Sequence, residues 1–152
     1  MADFNGSNYS KIFIDVPSKQ ISEGELSGKV RVLQDSFICG QNVYAIGDII
    51  NMGAKLPKGA KVIEACLVSP SLGTTGIMKL GFIANGVDAA DDDAFIASAD
   101  AGGQAVKALM PAGAAALGKK FNADTSIQIK FSEASDAALG LEIKIWIQYI
   151  LE

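Results

Sequence analysis

The most consequential absence in this 152-residue chain is that of histidine. Without it, neither the Ser-His-Asp and Cys-His arrangements of nucleophilic catalysis nor a histidine metal site can form. Arginine is nearly absent as well, because Arg31 is the only one, and 17 acidic residues outnumber 13 basic ones. Since arginine makes the bidentate contacts to phosphate and guanine, this charge balance argues against a nucleic-acid partner.

Cysteine and long apolar runs are also scarce. Cys39 and Cys66 are the only cysteines, they form no CxxC pair, and Cys66 lies in an apolar run, where a thiol usually packs as a small hydrophobic group. Free thiols of this kind fit assembly in a reducing cytoplasm. No apolar run approaches the roughly 20 residues that cross a bilayer, and residues 1–10 lack the features of a signal peptide. We therefore expect no membrane partner.

What the chain does contain is a series of short apolar segments separated by turns. Residues 62–68 form an almost continuous apolar run, which predicts a central strand covered on both faces. Residues 141–151 alternate, with Leu141, Ile143, Ile145, Ile147, Tyr149 and Leu151 on one face. Further strands are predicted at residues 29–33 with Val30 and Val32 buried, 36–39, 43–52, 77–83 and 126–131. This pattern contains little helix and no alternation of strands and helices of the βαβ kind. It indicates an all-β antiparallel β-sandwich, and specifically a jelly roll.

The length fits one domain, which we place at residues 21–152, preceded by an extended N-terminal arm at residues 1–20. Within the arm, only residues 11–16 could add a short strand. Gly81 predicts a bulge or a close backbone approach. The alanine-rich residues 94–117 are ambiguous, because alanine favours helix while the glycines and Pro111 break it. We predict a helical turn at residues 93–99 and an irregular or strand segment near residues 105–110.

The only local group of possible metal ligands is Asp88 with Asp91, Asp92 and Asp93. A calcium loop needs spaced acids, a central glycine and a distal glutamate, and consecutive aspartates in an extended segment cannot all point to one ion. We therefore favour a solvated acidic loop, in which Asp93 caps the turn at Ala94, and keep Asp88, Asp91 and Asp93 as weak metal candidates. No glycine pattern forms a phosphate-binding loop, so we expect no cofactor.

Trp146 is the single tryptophan, and it lies on the polar face of the last strand. It could serve as a platform for a sugar, because sugar faces stack on aromatic rings. We favour packing under a loop or in a subunit interface. Two carboxylates could in principle meet for glycosidase chemistry, but no local pattern selects a pair.

Four segments carry a resemblance to a known family: Gly28-Lys29-Val30-Arg31-Val32, then Leu56-Pro57-Lys58-Gly59-Ala60-Lys61-Val62-Ile63, then Leu80-Gly81 followed by residues 85–91, and the alternating residues 141–151. In these, the chain resembles the decoration (cement) proteins and related head structural proteins of tailed bacteriophages, over roughly residues 29–152. The resemblance implies a non-enzymatic β-sandwich that assembles as a homo-oligomer, a trimer or dimer, on the outer capsid surface. It also implies that the protein binds the major capsid protein and stabilises the shell.

The residues themselves agree with such a role. An acidic balance suits a protein outside a shell rather than one that touches packaged DNA. We expect the contacts to use apolar and aromatic side chains of the arm and the last strand: Phe4, Tyr9, Ile12, Phe13, Trp146 and Tyr149. The last strand could also offer an edge for pairing. The alternatives are a jelly-roll carbohydrate- or receptor-binding module of a virion and, more remotely, a hydrolase that uses two carboxylates.

Overall fold

The computed structural model describes residues 29–152, so the predicted arm lies outside the described residues. This part of the chain contains eight strands and no helix, and therefore no helix that could span a membrane. The strands are β1 (Arg31–Ile38), β2 (Ile49–Leu56), β3 (Ala60–Ser69), β4 (Ile77–Phe82), β5 (Asp91–Asp100), β6 (Val106–Leu109), β7 (Thr125–Phe131) and β8 (Glu142–Leu151).

The strands form two four-stranded antiparallel sheets, in the orders β1-β8-β3-β6 and β2-β7-β4-β5. The pairs β1–β8, β2–β7, β3–β6 and β4–β5 are those of one long hairpin, which is rolled up so that β3 also meets β8 and β4 also meets β7. This is the jelly-roll arrangement. It confirms the fold class predicted from the alternating segments.

The inner faces of the two sheets bury one continuous apolar core. Phe82 and Phe121 meet edge to face with ring centroids 5.0 Å apart, and Phe95 lies 6.2 Å from Phe82. All three side chains are fully buried. Burying a side chain of this size contributes about 1.5–3 kcal/mol. These rings therefore contribute several kcal/mol to the packing of the two sheets against each other.

Strand β8 shows the predicted alternation as far as Tyr149, with Ile143, Ile145 and Ile147 buried and Tyr149 packed against the core. At its end the prediction is wrong, because Ile150 is buried and Leu151 is exposed. However, β8 lies between β1 and β3, so its backbone is paired on both sides. The expectation that it offers a free edge is wrong. Its period-2 pattern reports which face is buried and says nothing about its lateral neighbours.

Strand β1 is one continuous strand where two short segments were predicted, and its buried face is the opposite one. Leu33 is buried, whereas Val30 and Val32 are 55% and 54% exposed. The segment carries apolar residues on both faces, because Leu33 and Phe37 alternate out of phase with the valines. The register with β8 places Leu33 opposite the buried Ile147 and so decides which set faces the core.

The predicted helical turn at residues 93–99 is wrong, because this stretch lies within β5. Ala94 and Ala99 are buried in the sandwich, where a small side chain fits and the pairing with β4 overrides the helical preference of alanine. The acidic residues 91–93 are consequently the start of a strand and not a loop.

Several local predictions are confirmed. The Pro57-Lys58-Gly59 turn closes with a hydrogen bond of 3.0 Å from the amide of Ala60 to the carbonyl of Pro57, and Gly59 has φ of +86°. The register slips on both sides of Leu80, next to Gly81, where a bulge was expected. Strand β6 occupies the predicted position near residues 105–110. By contrast, residues 43–48 are a loop, because β2 begins only at Ile49.

Candidate interaction surfaces

Of the side chains predicted to make contacts, only Trp146 and Tyr149 lie in the described part of the chain, and they lie on opposite faces of β8. Trp146 lies on the outer face of the β1-β8-β3-β6 sheet and is half-buried, while Tyr149 packs against the core on the inner face. Their odd separation in one strand requires opposite faces. Phe4, Tyr9, Ile12 and Phe13 lie outside the described residues.

The surroundings of Trp146 are mostly polar. In the sheet register it lies between Gln34 of β1 and Cys66 of β3, and the Nζ of Lys107 lies 5.6 Å from its ring centroid. An open cavity of about 500 Å3 adjoins the ring, with the lining residues Gln34, Asp35, Ser36, Glu142, Lys144, Ile145 and Trp146. A sugar that stacked on the face held by Lys107 would have to displace that cation–π contact.

The charges beside this cavity are already paired. Lys144 and Glu142 form an ion pair of 3.0 Å. Hydrogen bonds from Lys144 and then from Ser36 lower the pKa of Glu142. A carboxyl group with a lowered pKa stays ionised and cannot serve as a general acid near neutral pH. Glu142 is therefore not suited to be the general acid of a glycosidase.

The acidic residues at the start of β5 lie close together. Carboxylate oxygens of Asp91, Asp92 and Asp93 fall within 4.8 Å of one another. Two lysines contact the group: Lys130 Nζ donates to Asp92 at 2.6 Å, and Lys79 Nζ lies 3.4 Å from Asp93. The hydrogen bond from Lys130 is the main cause of a lowered pKa of Asp92, whereas burial and then Asp93 raise the pKa of Asp91. Asp92 and Asp93 are therefore engaged with lysines, and the three carboxylates share two cations.

Asp88, the third weak metal candidate, belongs to a separate network. Its carboxylate accepts a hydrogen bond of 3.0 Å from the side-chain amide of Asn85 and forms an ion pair with Lys119 at 3.4 Å. The bond from Asn85 is the largest cause of its lowered pKa. Among the described residues, the predicted set of Asp88, Asp91 and Asp93 is thus not brought together as one group of ligands.

Sequence reasoning missed a group of exposed apolar side chains. Five of the twelve exposed large apolar side chains among residues 29–152 lie on the β1–β2 and β7–β8 connections and their flanking strand ends, each 50–72% exposed. We name this set the apolar end surface; its members are Ile38, Val43, Ile46, Ile49 and Leu139. Contiguous apolar patches on a protein surface mark interaction sites.

Hydrogen bonds hold the two connections together. The amide of Gly140 donates to the carbonyl of Cys39 at 2.8 Å, and the amide of Leu139 donates to the Asn42 side chain at 3.3 Å. Residues 36–47 and 137–141 contain no charged side chain. Depletion of charge is typical of the core of a protein interface. The absence of charge from residues 36–47 is the feature of the sequence from which this surface could have been predicted.

The buried hydroxyl groups have structural partners. The Ser135 Oγ accepts from the amide of Tyr44 at 2.9 Å, and the Thr125 Oγ1 donates to the carbonyl of Ala123 at 2.8 Å. Neither of these hydroxyls is bonded to a base that could activate it. These two buried hydroxyls therefore have structural roles.

Comparison with solved structures finds this jelly roll in phage capsids. One similar chain, from "Capsid of Ralstonia phage GP4", has a TM-score of 0.68 and 24% identity, covering 82% of this chain and 86% of that one. Another, from "Cyanophage Pam1 capsid asymmetric unit", has a TM-score of 0.64 and 16% identity with the same coverage. No protein-family model and no curated protein matches the sequence. The fold is thus shared with chains of two phage capsids.

Proposed function

We propose that the protein is a non-enzymatic structural component of a phage virion, a decoration protein that binds the major capsid protein on the outer surface of the shell and stabilises it. The observation that carries the proposal is the likeness of its jelly roll to chains of two phage capsids over 82% of its length.

The apolar end surface offers a contact area for such a role. Its members Ile38, Val43 and Ile46 are exposed and lie in the uncharged residues 36–47. Burial of such side chains against a partner is favourable by about 25 cal/mol for each Å2 removed from water. We infer that this surface faces the capsid lattice, while the acidic remainder stays in solvent.

The arm and the last strand supply the further contacts in this proposal. Phe4 and Tyr9 of the arm add apolar area to the contact with the shell, and Trp146 packs at an interface between subunits of a trimer or dimer. A polar arm that orders on binding adds contact area without enlarging the core. Neither nucleic acid nor membrane takes part.

The test uses purified protein and shells assembled from the major capsid protein. We expect Ile46→Lys to weaken binding at least about tenfold, since a lysine would be buried in the contact without a partner. Val87→Lys is the matched control, because Val87 is similarly exposed in the β4–β5 connection, away from this surface. Co-sedimentation measures both variants. Equal binding by the two variants would contradict the inference that the apolar end surface contacts the shell. No binding by the unmodified chain would contradict the proposed function.

Limited proteolysis tests the arm separately. We expect residues 1–20 to be cleaved in the free protein and protected on the particle, because binding would bury their backbone. The measurement is mass spectrometry of the fragments from both states. Identical cleavage rates would count against the arm as an attachment segment.

A second candidate function, a carbohydrate- or receptor-binding module of a virion, has one observation in its favour: the open polar-lined cavity beside Trp146. Glycan binding that is retained in Trp146→Phe and lost in Trp146→Ala would support it, since a sugar needs an aromatic face. If the protein binds no glycan on an array, this candidate fails while the structural role is untouched.

A further inference from the structure

Four connections form one layer at the end of the sandwich that carries the apolar end surface. They are residues 39–48, 70–76, 101–105 and 132–141. The amide of Gly140 donates to the carbonyl of Cys39, which joins the last connection to the first. The amide of Ala137 donates to the carbonyl of Leu72 at 3.0 Å, and the amide of Leu72 donates to that of Ala101 at 2.9 Å. We name this hydrogen-bonded layer the first end of the sandwich.

Every charged side chain in these four connections is acidic. The connections contain Asp48, Glu133 and Asp136 and no lysine or arginine. Hydrogen bonds from Thr74 lower the pKa of Asp136, which therefore stays ionised at neutral pH. Within residues 29–152, none of the three carboxylates forms an ion pair. The first end thus carries three negative charges that have no counter-charge in the described domain.

The lysines of the adjoining strands are turned to other partners. Lys130 of β7 bonds Asp92 at 2.6 Å, and Lys144 of β8 pairs with Glu142 at 3.0 Å. The Nζ of Lys107, in β6, lies over an aromatic ring and not beside a carboxylate. These three cations therefore leave the acidic charge of the first end uncompensated.

The opposite end of the sandwich has a different charge. Its three connections are residues 57–59, 83–90 and 110–124. They contain three lysines and two aspartates, so their net charge is +1, against −3 for the connections of the first end. A separation of charge between two ends orients a molecule in the field of a charged partner.

The carboxylates and the apolar end surface lie in the same layer, so one partner meets both. We propose that the first end binds an apolar patch of the shell that is surrounded by lysine or arginine side chains. The inference rests on the proposed function, which makes the major capsid protein the partner, and it adds the chemistry of the partner's surface. Interfaces combine an apolar centre with a polar rim that stays in contact with solvent. Ile46 and its apolar neighbours form the centre, and the three carboxylates form the hydrated rim.

Charge complementarity selects a basic partner. An acidic patch would place like charges against each other, which costs several kcal/mol and suppresses a wrong partner. An uncharged patch would leave the association rate without electrostatic attraction. Opposite charges across a hydrated rim act mainly on the rate of association, and salt screens them. The rim and the apolar centre can therefore be tested separately.

Surface plasmon resonance on immobilised shells of the major capsid protein tests the inference with the full-length chain. The association rate constant should fall at least about threefold between about 0.1 M and about 1 M NaCl, because the Debye length shortens from about 10 Å to about 3 Å. A rate constant that does not change with salt would overturn the basic rim. Absence of binding by the native chain at both salt concentrations would contradict the proposed function itself, and the inference would fail with it.

Charge removal locates the effect on the first end. Glu133 is exposed, so Glu133→Gln should leave the Tm unchanged and lower the association rate constant about twofold at about 0.1 M NaCl, with an unchanged dissociation rate. Asp124→Asn is the matched control, because it removes one negative charge at the opposite end and keeps an oxygen that accepts from the amide of Lys58.

Three outcomes of this comparison would overturn the inference. Equal association rates of Glu133→Gln and the native chain would show that the rim carboxylate does not face a cation. Equal effects of Glu133→Gln and Asp124→Asn would show that only the net charge of the molecule matters. Faster association of Glu133→Gln would mean that the partner's rim is acidic. Each of these leaves binding to the shell, and hence the proposed function, in place.

Discussion

The ring of Tyr44 stacks on the ring of Phe131, with centroids 4.9 Å apart and planes inclined by 7°. Tyr44 lies in the loop after β1, and Phe131 is the last residue of β7, so the contact joins a connection to the opposite sheet. The Tyr44 hydroxyl accepts a hydrogen bond of 3.1 Å from the amide of Gly40, and burial raises its pKa. This one side chain thereby anchors the loop that carries the apolar end surface.

Tyr44→Ala should lower the free energy of unfolding by about 3–5 kcal/mol, since it removes a buried ring and leaves a cavity. Tyr44→Phe keeps the stacking and loses only the hydrogen bond to Gly40, at about 1 kcal/mol. Urea denaturation of both variants provides the comparison. Equal losses would show that the stacking on Phe131 contributes nothing beyond the hydroxyl.

Gly81→Ala should destabilise the fold by about 1–3 kcal/mol, because a Cβ at this position would overlap the backbone of Asp91 and Asp92. Gly113→Ala is the control, since nothing lies within 4 Å of a Cβ there. Thermal unfolding of the two variants should show a lower Tm for the first alone. A similar Tm for both variants would mean that the backbone near Gly81 shifts to accommodate a Cβ without loss of stability.

The Asp92–Lys130 pair should make stability depend on pH under acidic conditions. Hydrogen bonding from Lys130 lowers the pKa of Asp92 in the folded state. Its contribution is therefore fully present above the unfolded pKa of about 3.9 and is lost as the pH falls through the lower folded value. Because both side chains are about a third exposed, we expect at most about 1 kcal/mol.

The measurement for this pair is urea denaturation of the native chain and Lys130→Met at neutral pH and below pH 3. The native chain should be the more stable at neutral pH, and the difference should shrink in acid. Lys107→Met provides the control, because Lys107 forms no ion pair with a described residue. A difference that is independent of pH would contradict the assignment.

Both thiols should be inert in the folded protein. Cys39 and Cys66 are 1% and 0% exposed, they form no disulfide, and burial raises the pKa of each thiol. Since the thiolate is the reactive species, a chromogenic disulfide reagent at pH 8 should titrate neither thiol until denaturant is added, and then two per chain. Rapid labelling without denaturant would reveal an opening of the sandwich.

Strands β3 and β8 could be predicted because their patterns allow one interpretation. The apolar run at residues 62–68 predicted a central strand, and the alternation of residues 141–151 predicted the buried face of β8. The expected cover on both faces of β3 is wrong at Ile63, which is exposed. The turn at Gly59 and the bulge at Gly81 followed from backbone requirements that few other residues meet. These signals are local, so no tertiary information was needed to recognise them.

The failures share a different cause. Strand β1 has apolar residues on both faces, and only its register with β8 selects Leu33 over Val30 and Val32. The alanine-rich β5 has a helical preference that its pairing with β4 overrides. The apolar end surface is assembled from two connections that are about 90 residues apart and meet through the hydrogen bond between Leu139 and Asn42.

The sequence by itself determined the absence of histidine chemistry, the all-β class and the positions of strands β3 and β8, because composition and period-2 burial are properties of each segment alone. Only the tertiary structure decided which face of β1 is buried, that β8 is central, and where exposed apolar residues gather. Those outcomes depend on which strands pair and in which register, and pairing energies between distant segments are not contained in any local pattern.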